Sequence, residues 1–182
     1  AANPFDKAYN FADLDEFVRN ANNNGLDVLL QIFGTPTWAN GNAGKNRLPT
    51  RLTDLTNFAK AVALRYSGRY AGYPQVRMFA IWNESNLEQF LAPQFSGTKI
   101  VSPAAYAKIY RAAYKGIKAG NPLADVAIGE TSNRGRNKPT GSSGSVSPAT
   151  FAYLLSKADP KLPFTAWATH PYPTESRFGP AA

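Results

Sequence analysis

Residues 76–87 read Val-Arg-Met-Phe-Ala-Ile-Trp-Asn-Glu-Ser-Asn-Leu, and they give the strongest indication of the fold. Its first seven residues form a short and largely apolar run, which is typical of a strand covered on both faces in a parallel sheet. The polar residues Asn83 and Glu84 follow without a spacer. A carboxylate therefore stands directly at the carboxyl end of a buried strand.

Helices are predicted on both sides of this segment. Apolar residues at spacings of three and four predict helices over about residues 11–24, with Asn10 as the N-cap, and over about residues 51–67. Ser-Pro pairs at 102–103 and 147–148 predict two more helix starts, each with Ser as the N-cap and Pro at the first helical position.

Further short apolar runs predict strands at 27–33, 125–129 and 164–169. Four helix–strand units in succession predict an α/β fold, in which a parallel sheet is connected by right-handed crossovers. A doubly wound sheet and a TIM barrel both fit this alternation. No Gly-x-Gly-x-x-Gly follows a strand, which lowers the case for a dinucleotide fold.

Long loops at 34–50, 83–102 and 130–147 all follow the carboxyl ends of strands, where barrel enzymes build their sites. We therefore predict a single domain over residues 1–182 that is part of a TIM (β/α)8 barrel, with about four parallel strands alternating with helices. A complete barrel usually needs about 250 residues.

Composition excludes several classes of site. The 182 residues contain no cysteine, which excludes disulfides, thiolate metal sites and a cysteine nucleophile. No apolar run is long enough for a membrane span, and no signal peptide opens the given chain. The net charge is +8, with its densest basic group at Arg134, Arg136 and Lys138. These charges are otherwise thinly spread, so we expect neither a nucleic acid nor a membrane as partner.

Glu84 is the leading candidate for acid catalysis. The strand before it holds its backbone rigidly, and the apolar Trp82 nearby would remove water from the carboxyl group. Desolvation favours the protonated form that a general acid needs. Asn83 offers both a donor and an acceptor beside it.

The segment Trp-Asn-Glu-x-Asn-Leu after such a strand resembles clan A of the glycoside hydrolases, which are retaining (β/α)8 enzymes with Asn-Glu at the end of the fourth strand. In that family the Glu is the acid/base, and the Asn contacts the sugar 2-hydroxyl and the nucleophile. The resemblance implies these roles for Glu84 and Asn83, a carbohydrate substrate with a β-linkage, no cofactor, and secretion from the cell.

Three further segments agree with this resemblance in order and position, and one of them is the helix from Tyr106 to Pro122 with the strand that follows it. Residues 34–39, Gly-Thr-Pro-Thr-Trp-Ala, are similar to the Pro-x-Trp-Ala segment of family 39 enzymes, which implies that Trp38 stacks on a sugar. Residues 168–173 are similar to the His-x-Tyr ending of the sixth strand, which implies substrate contacts for His170 and Tyr172. His170 is the single histidine, so no metal site is expected.

The same resemblance implies that the chain holds the third to sixth strands, and that the nucleophile is a Glu on a seventh strand beyond Ala182. Glu130, at the end of the fifth strand, is a candidate for a substrate or catalytic contact, and Glu175 is a second acid near the same end. A retaining pair of carboxyl groups must lie roughly 5–5.5 Å apart.

Two other interpretations stay open at the sequence level. The chain can be a non-catalytic carbohydrate-binding fragment that lacks the nucleophile. It can also be a basic protein that binds an acidic polymer through Arg134, Arg136 and Lys138. An isolated half barrel would have two open sheet edges, so we also expect a tendency to self-associate.

Overall fold

The computed structural model describes residues 1–139 and 144–172. Its main sheet has four strands in the order β1-β2-β5-β6, and every neighbouring pair is parallel. The α/β class and the alternation predicted from the sequence are thereby confirmed. The sheet strands are β1 (Leu29–Ile32), β2 (Met78–Ile81), β5 (Asp125–Ser132) and β6 (Ala166–His170).

Four α-helices connect and flank these strands. They are α1 (Ala12–Asn23), α2 (Leu52–Arg65), α3 (Ser102–Gly120) and α4 (Pro148–Ala158). A small antiparallel hairpin of β3 (Phe95–Ser96) and β4 (Lys99–Ile100), which the sequence did not predict, lies within the long loop after β2. No helix among the described residues is both long enough and apolar enough to cross a membrane.

The core lies between the sheet and the pair α2 and α3. Phe79 and Ile81 of β2, and Val126 and Ile128 of β5, are buried in it. The two helices approach very closely at Gly116, where an added Cβ would lie 2.2 Å from the Thr56 carbonyl oxygen. Only glycine fits at this contact, so the α2–α3 packing is specified by the absence of a side chain.

Two of the predicted helix caps were wrong. Helix α1 is capped by Phe11, although the Asn10 side chain still accepts a hydrogen bond from Ala12 N–H at 3.4 Å. Helix α3 is capped by Val101, because the Ser102 hydroxyl instead donates to Gln94 Oε1 at 2.8 Å. Ser147 does cap α4, where its hydroxyl accepts from Thr150 N–H.

Tyr106 of α3 fixes the carboxyl ends of β2 and β5 relative to each other. Its hydroxyl donates to the Ile81 carbonyl at 3.0 Å and accepts from Gly129 N–H at 2.9 Å. The side chain is fully buried, and burial raises the pKa of this phenol well above its usual value. The group therefore stays neutral, and it links the two strand ends on which the candidate site is built.

Candidate active site

Three polar side chains meet at the carboxyl ends of β2, β5 and β6. Glu84 follows β2, Glu130 lies in β5, and His170 is the last residue of β6. The imidazole of His170 stands between the two carboxylates, with Nδ1 at 3.0 Å from Glu84 Oε1 and Nε2 at 3.1 Å from Glu130 Oε2. Parallel strands end at the same edge of a sheet, which is why residues so distant in sequence converge here.

A fourth residue, Gln31 of β1, completes this network. Its amide donates to Glu130 Oε2 at 3.0 Å and to Asn83 Oδ1 at 3.4 Å. Every strand of the sheet thus contributes to one continuous hydrogen-bond network. Gln31 was missed by the sequence reasoning, although a polar residue inside the apolar run 27–33 is a visible signal.

The backbone at this site adopts an unusual conformation. Trp82, Glu84 and Glu130 have positive φ angles of 71°, 35° and 45°. Such angles are uncommon for residues other than glycine, and cost of order 1–3 kcal/mol each. They persist where the surrounding structure determines the conformation, which is a property of functional sites.

Glu130 owes its position to a bulge in the sheet. The β5–β6 register shifts between Ile128 and Thr131, so Gly129 and Glu130 lie in the irregular segment. Gly129 has φ 105°, and an added Cβ there would lie 2.7 Å from the Trp167 ring. Bulges of this kind re-aim side chains next to active sites.

The loop that carries Glu84 is anchored by the fully buried Asn86. The Asn86 amide donates to the carbonyl oxygens of Ser132, Arg134 and Val146, and its own oxygen accepts from Ser132 N–H at 2.9 Å. One side chain therefore connects the segment after β2 to the end of β5 and to the start of α4. This arrangement restricts the movement of Glu84.

The two carboxylates of the site are buried, and they affect the pKa of the His170 ring between them. Glu84 is 8% exposed and Glu130 is 3% exposed, so neither carboxylate is well solvated. Burial alone lowers the pKa of His170, but its hydrogen bonds with Glu84 and Glu130 outweigh burial, and the net effect raises the pKa above the ordinary value. The imidazole is thus favoured in its charged form between two acids.

The remaining predicted substrate contacts divide into two places. The Tyr172 ring lies edge-on to His170, with the centroids 5.9 Å apart. Trp38 is 71% exposed in a short 3-10 turn after β1 and makes no hydrogen bond or ring contact with the described part of the network. Glu175 lies outside the described residues.

Trp38 lines a separate cavity of about 720 Å³ near the carboxyl end of β1. The walls of this cavity are mainly apolar, and the network side chains of Glu84, Glu130 and His170 do not line it among the described residues. The aromatic residues that line it are Tyr9, Phe33, Trp38, Phe58 and Trp82. Trp38 therefore neighbours the strand that carries Glu84 without facing its carboxylate.

The network does not have the form of a metal centre. The imidazole separates the two carboxylates, so their oxygens do not converge on one point. Over residues 1–139 and 144–172, no group of three His, Cys, Asp or Glu side chains is placed to hold a metal ion. The basic residues Arg134, Arg136 and Lys138 are all exposed on the loop after β5.

Comparison with solved structures shows what fold this is. A glucosidase from Croceicoccus marinus matches 92% of the chain with a TM-score of 0.65 at 15% identity. The GH39 enzyme from Xanthomonas axonopodis pv. citri matches 89% with a TM-score of 0.53 at 20% identity. A monomeric beta-xylosidase from Caulobacter crescentus CB15 matches 68% with a TM-score of 0.51 at 22% identity.

These likenesses establish the fold. The identities are too low for them to establish anything beyond the fold. The chain spans 31%, 29% and 25% of the length of the three structures. The fold is therefore that of one part of a (β/α) barrel, as the sequence predicted. No protein-family model matches the chain, and no curated protein matches it in sequence.

Proposed function

We propose that this chain carries the acid/base half of the active site of a retaining glycoside hydrolase that acts on a β-linked glycoside or polysaccharide. The observation that carries the proposal is the placement of Glu84, which lies at the carboxyl end of a parallel strand and is largely buried beside His170. The likeness to solved glycosidases agrees with this assignment.

In this proposal Glu84 protonates the departing glycosidic oxygen in the first half of the reaction and activates a water in the second. Asn83, held through Gln31, orients the sugar ring. Tyr172 and His170 line the same strand ends, and Trp38 supports a more distant part of the substrate. No step of this mechanism requires a cofactor, and we expect the complete protein to work outside the cell.

The nucleophile of this proposal is a carboxylate other than Glu130. A retaining pair needs an open approach to the anomeric carbon at roughly 5–5.5 Å separation, and an inverting pair needs a water between its two carboxyls. The His170 ring occupies the space between Glu84 and Glu130, so the geometry suits neither arrangement. The retaining mechanism consequently depends on an acid outside the described network.

The test is Glu84→Gln in the complete protein, assayed on paired aryl and methyl β-xylosides and β-glucosides. Acid catalysis matters most when the leaving group is poor. We expect turnover of the methyl glycosides to fall by about 10²- to 10⁴-fold, and the first step with the 2,4-dinitrophenyl glycosides to change far less. Glu16→Gln, on the exposed face of α1, is the matched control and should behave as the wild type.

An equal loss for both leaving groups would contradict the acid role of Glu84. Binding of xylo- or gluco-oligosaccharides without turnover in the wild type would instead favour a non-catalytic carbohydrate-binding protein. Binding that depends strongly on salt and disappears in Arg134→Ala with Arg136→Ala would favour an acidic polymer as the partner.

A further inference from the structure

Glu130 is a buried acid to which the proposed mechanism assigns no step. It is 3% exposed, and its Oε2 atom is in contact with both Gln31 Nε2 and His170 Nε2. A buried carboxylate is costly unless it is paired, and these two donors provide its partners. The sheet bulge and the positive φ angle of 45° direct this side chain toward His170.

Proton counting shows what this contact does to His170. An ionised carboxylate only accepts hydrogen bonds, so Nε2 of His170 carries a proton when it faces Glu130. On the other side, Nδ1 faces Glu84 Oε1 at 3.0 Å. If Glu84 is ionised, Nδ1 also carries a proton and the ring is an imidazolium. If Glu84 holds a proton on Oε1, Nδ1 accepts a hydrogen bond from that O–H group, and the ring is neutral.

Glu84 and His170 therefore share one proton across a single hydrogen bond. This sharing is possible only when Nε2 of His170 carries a proton of its own. A ring protonated only on Nδ1 would be unable to accept a proton from Glu84. Among the described residues, the titratable groups that contact His170 are Glu84 after β2, Glu130 on β5 and the Tyr172 ring; Gln31 of β1 is uncharged.

We propose that Glu130 is a positioning residue, which holds the proton on Nε2 of His170 and thereby makes His170 the proton partner of Glu84. The proposal rests on the acid/base role proposed above for Glu84. In the second half of a double displacement Glu84 must be ionised to activate water, and an imidazolium at hydrogen-bond distance stabilises that state. Without Glu130 the imidazolium loses one of its two counter-charges.

The uniqueness of His170 allows a direct test, because a chain labelled with 15N-histidine gives the signals of one ring. We expect long-range 1H–15N spectra of the wild type to show a proton on Nε2 throughout, and His170 to titrate above about 6.5, the ordinary value for histidine. This measurement needs no substitution, so it remains decisive if a variant fails to fold.

Glu130→Gln then removes the charge and keeps the size of the side chain. We expect the pKa of His170 to fall, because an adjacent opposite charge is lost. Glu16→Gln is the matched control and should leave the titration unchanged. An equal titration in Glu130→Gln and Glu16→Gln, or a wild-type ring that is protonated on Nδ1 alone when neutral, would overturn the proposal.

A kinetic readout separates this proposal from the proposed function. In the complete protein, we expect the second half-reaction to limit kcat with 2,4-dinitrophenyl β-xyloside, because this leaving group needs little protonation. The acid limb of kcat then reports ionisation of the Glu84–His170 pair. We expect Glu130→Gln to move that limb to lower pH, because the loss of a negative charge weakens proton binding by the pair, whereas a merely structural role would lower kcat equally at all pH values. If Glu84→Gln leaves turnover unchanged, the hydrolase proposal is rejected. If Glu130→Gln leaves the acid limb unchanged, only the proposed role of Glu130 is rejected.

Discussion

At the scale of single residues, the site depends on side chains that hold backbone segments in place. Asn86 is the clearest case, because its buried amide connects the loop after β2 with the end of β5 and the start of α4. Its role is visible in the sequence only as the second Asn of Asn-Glu-Ser-Asn-Leu. The sequence pattern placed Glu84 correctly at a strand end, but it contained no information about what holds that end still.

Asn86→Ala should destabilise the fold measurably. It would leave several buried backbone groups without partners, and one such loss costs about 1–3 kcal/mol. We expect the free energy of unfolding to fall by that amount in urea denaturation followed by circular dichroism. Asn20→Ala, on the exposed side of α1, is the control and should change stability by less than about 0.5 kcal/mol. Equal stabilities of the two variants would contradict the anchoring role.

At the scale of elements, sequence periodicity located the helices well and their faces less well. Spacings of three and four place Phe17 on one apolar face of α1 with Leu14 and Val18, yet Phe17 is 62% exposed, whereas Val18 is fully buried. Helix periodicity identifies an apolar stripe, but the width of the stripe that is covered depends on which neighbours are present. The α2–α3 contact also depends on a neighbouring element. From the sequence, a glycine in a helix such as Gly116 indicates only a weak helix former, and the close approach of α2 becomes visible only in the structure.

Gly116→Ala tests whether this contact limits the packing of α2 on α3. Alanine is the better helix former by about 1 kcal/mol, so an unconstrained position would be stabilised. Here the added methyl would collide with the Thr56 carbonyl and with Ala59, and we expect a net destabilisation of about 1–3 kcal/mol. Thermal unfolding measures the change, with the exposed Lys115→Ala in the same helix as control. A stabilised Gly116→Ala variant would refute the close approach.

At the scale of the whole molecule, the described part of the sheet has two edge strands, β1 and β6. Both carry apolar side chains that meet water, with Leu29 52% exposed and Trp167 42% exposed. A parallel sheet is ordinarily covered on both faces, and an open apolar edge is a template for association. The chain spans less than a third of each of the three solved structures, which agrees with an incompletely covered sheet.

We expect the 182-residue chain on its own to self-associate as its concentration rises, through these edges. Leu29→Lys places a charge at the edge of β1 and should shift sedimentation-velocity profiles toward the monomer. Tyr153→Lys is the matched control, because Tyr153 is 61% exposed on α4, a helix that packs on α3 and β5, and this substitution should leave the profiles as they are. A wild type that stays monomeric throughout the concentration series would contradict the expectation.

The amino-acid sequence was enough to predict the order of the helix–strand units, the parallel α/β sheet and the presence of Asn83 and Glu84 at a strand end. These features are local, since periodicity, apolar runs and a polar residue directly after a strand are all read from neighbouring positions. The tertiary structure was needed to show that Glu130, His170 and Gln31 form one hydrogen-bond network with Glu84, in which His170 makes the direct contact. That network joins residues 40 to 99 positions apart, and it depends on a sheet register and a bulge that no single segment encodes.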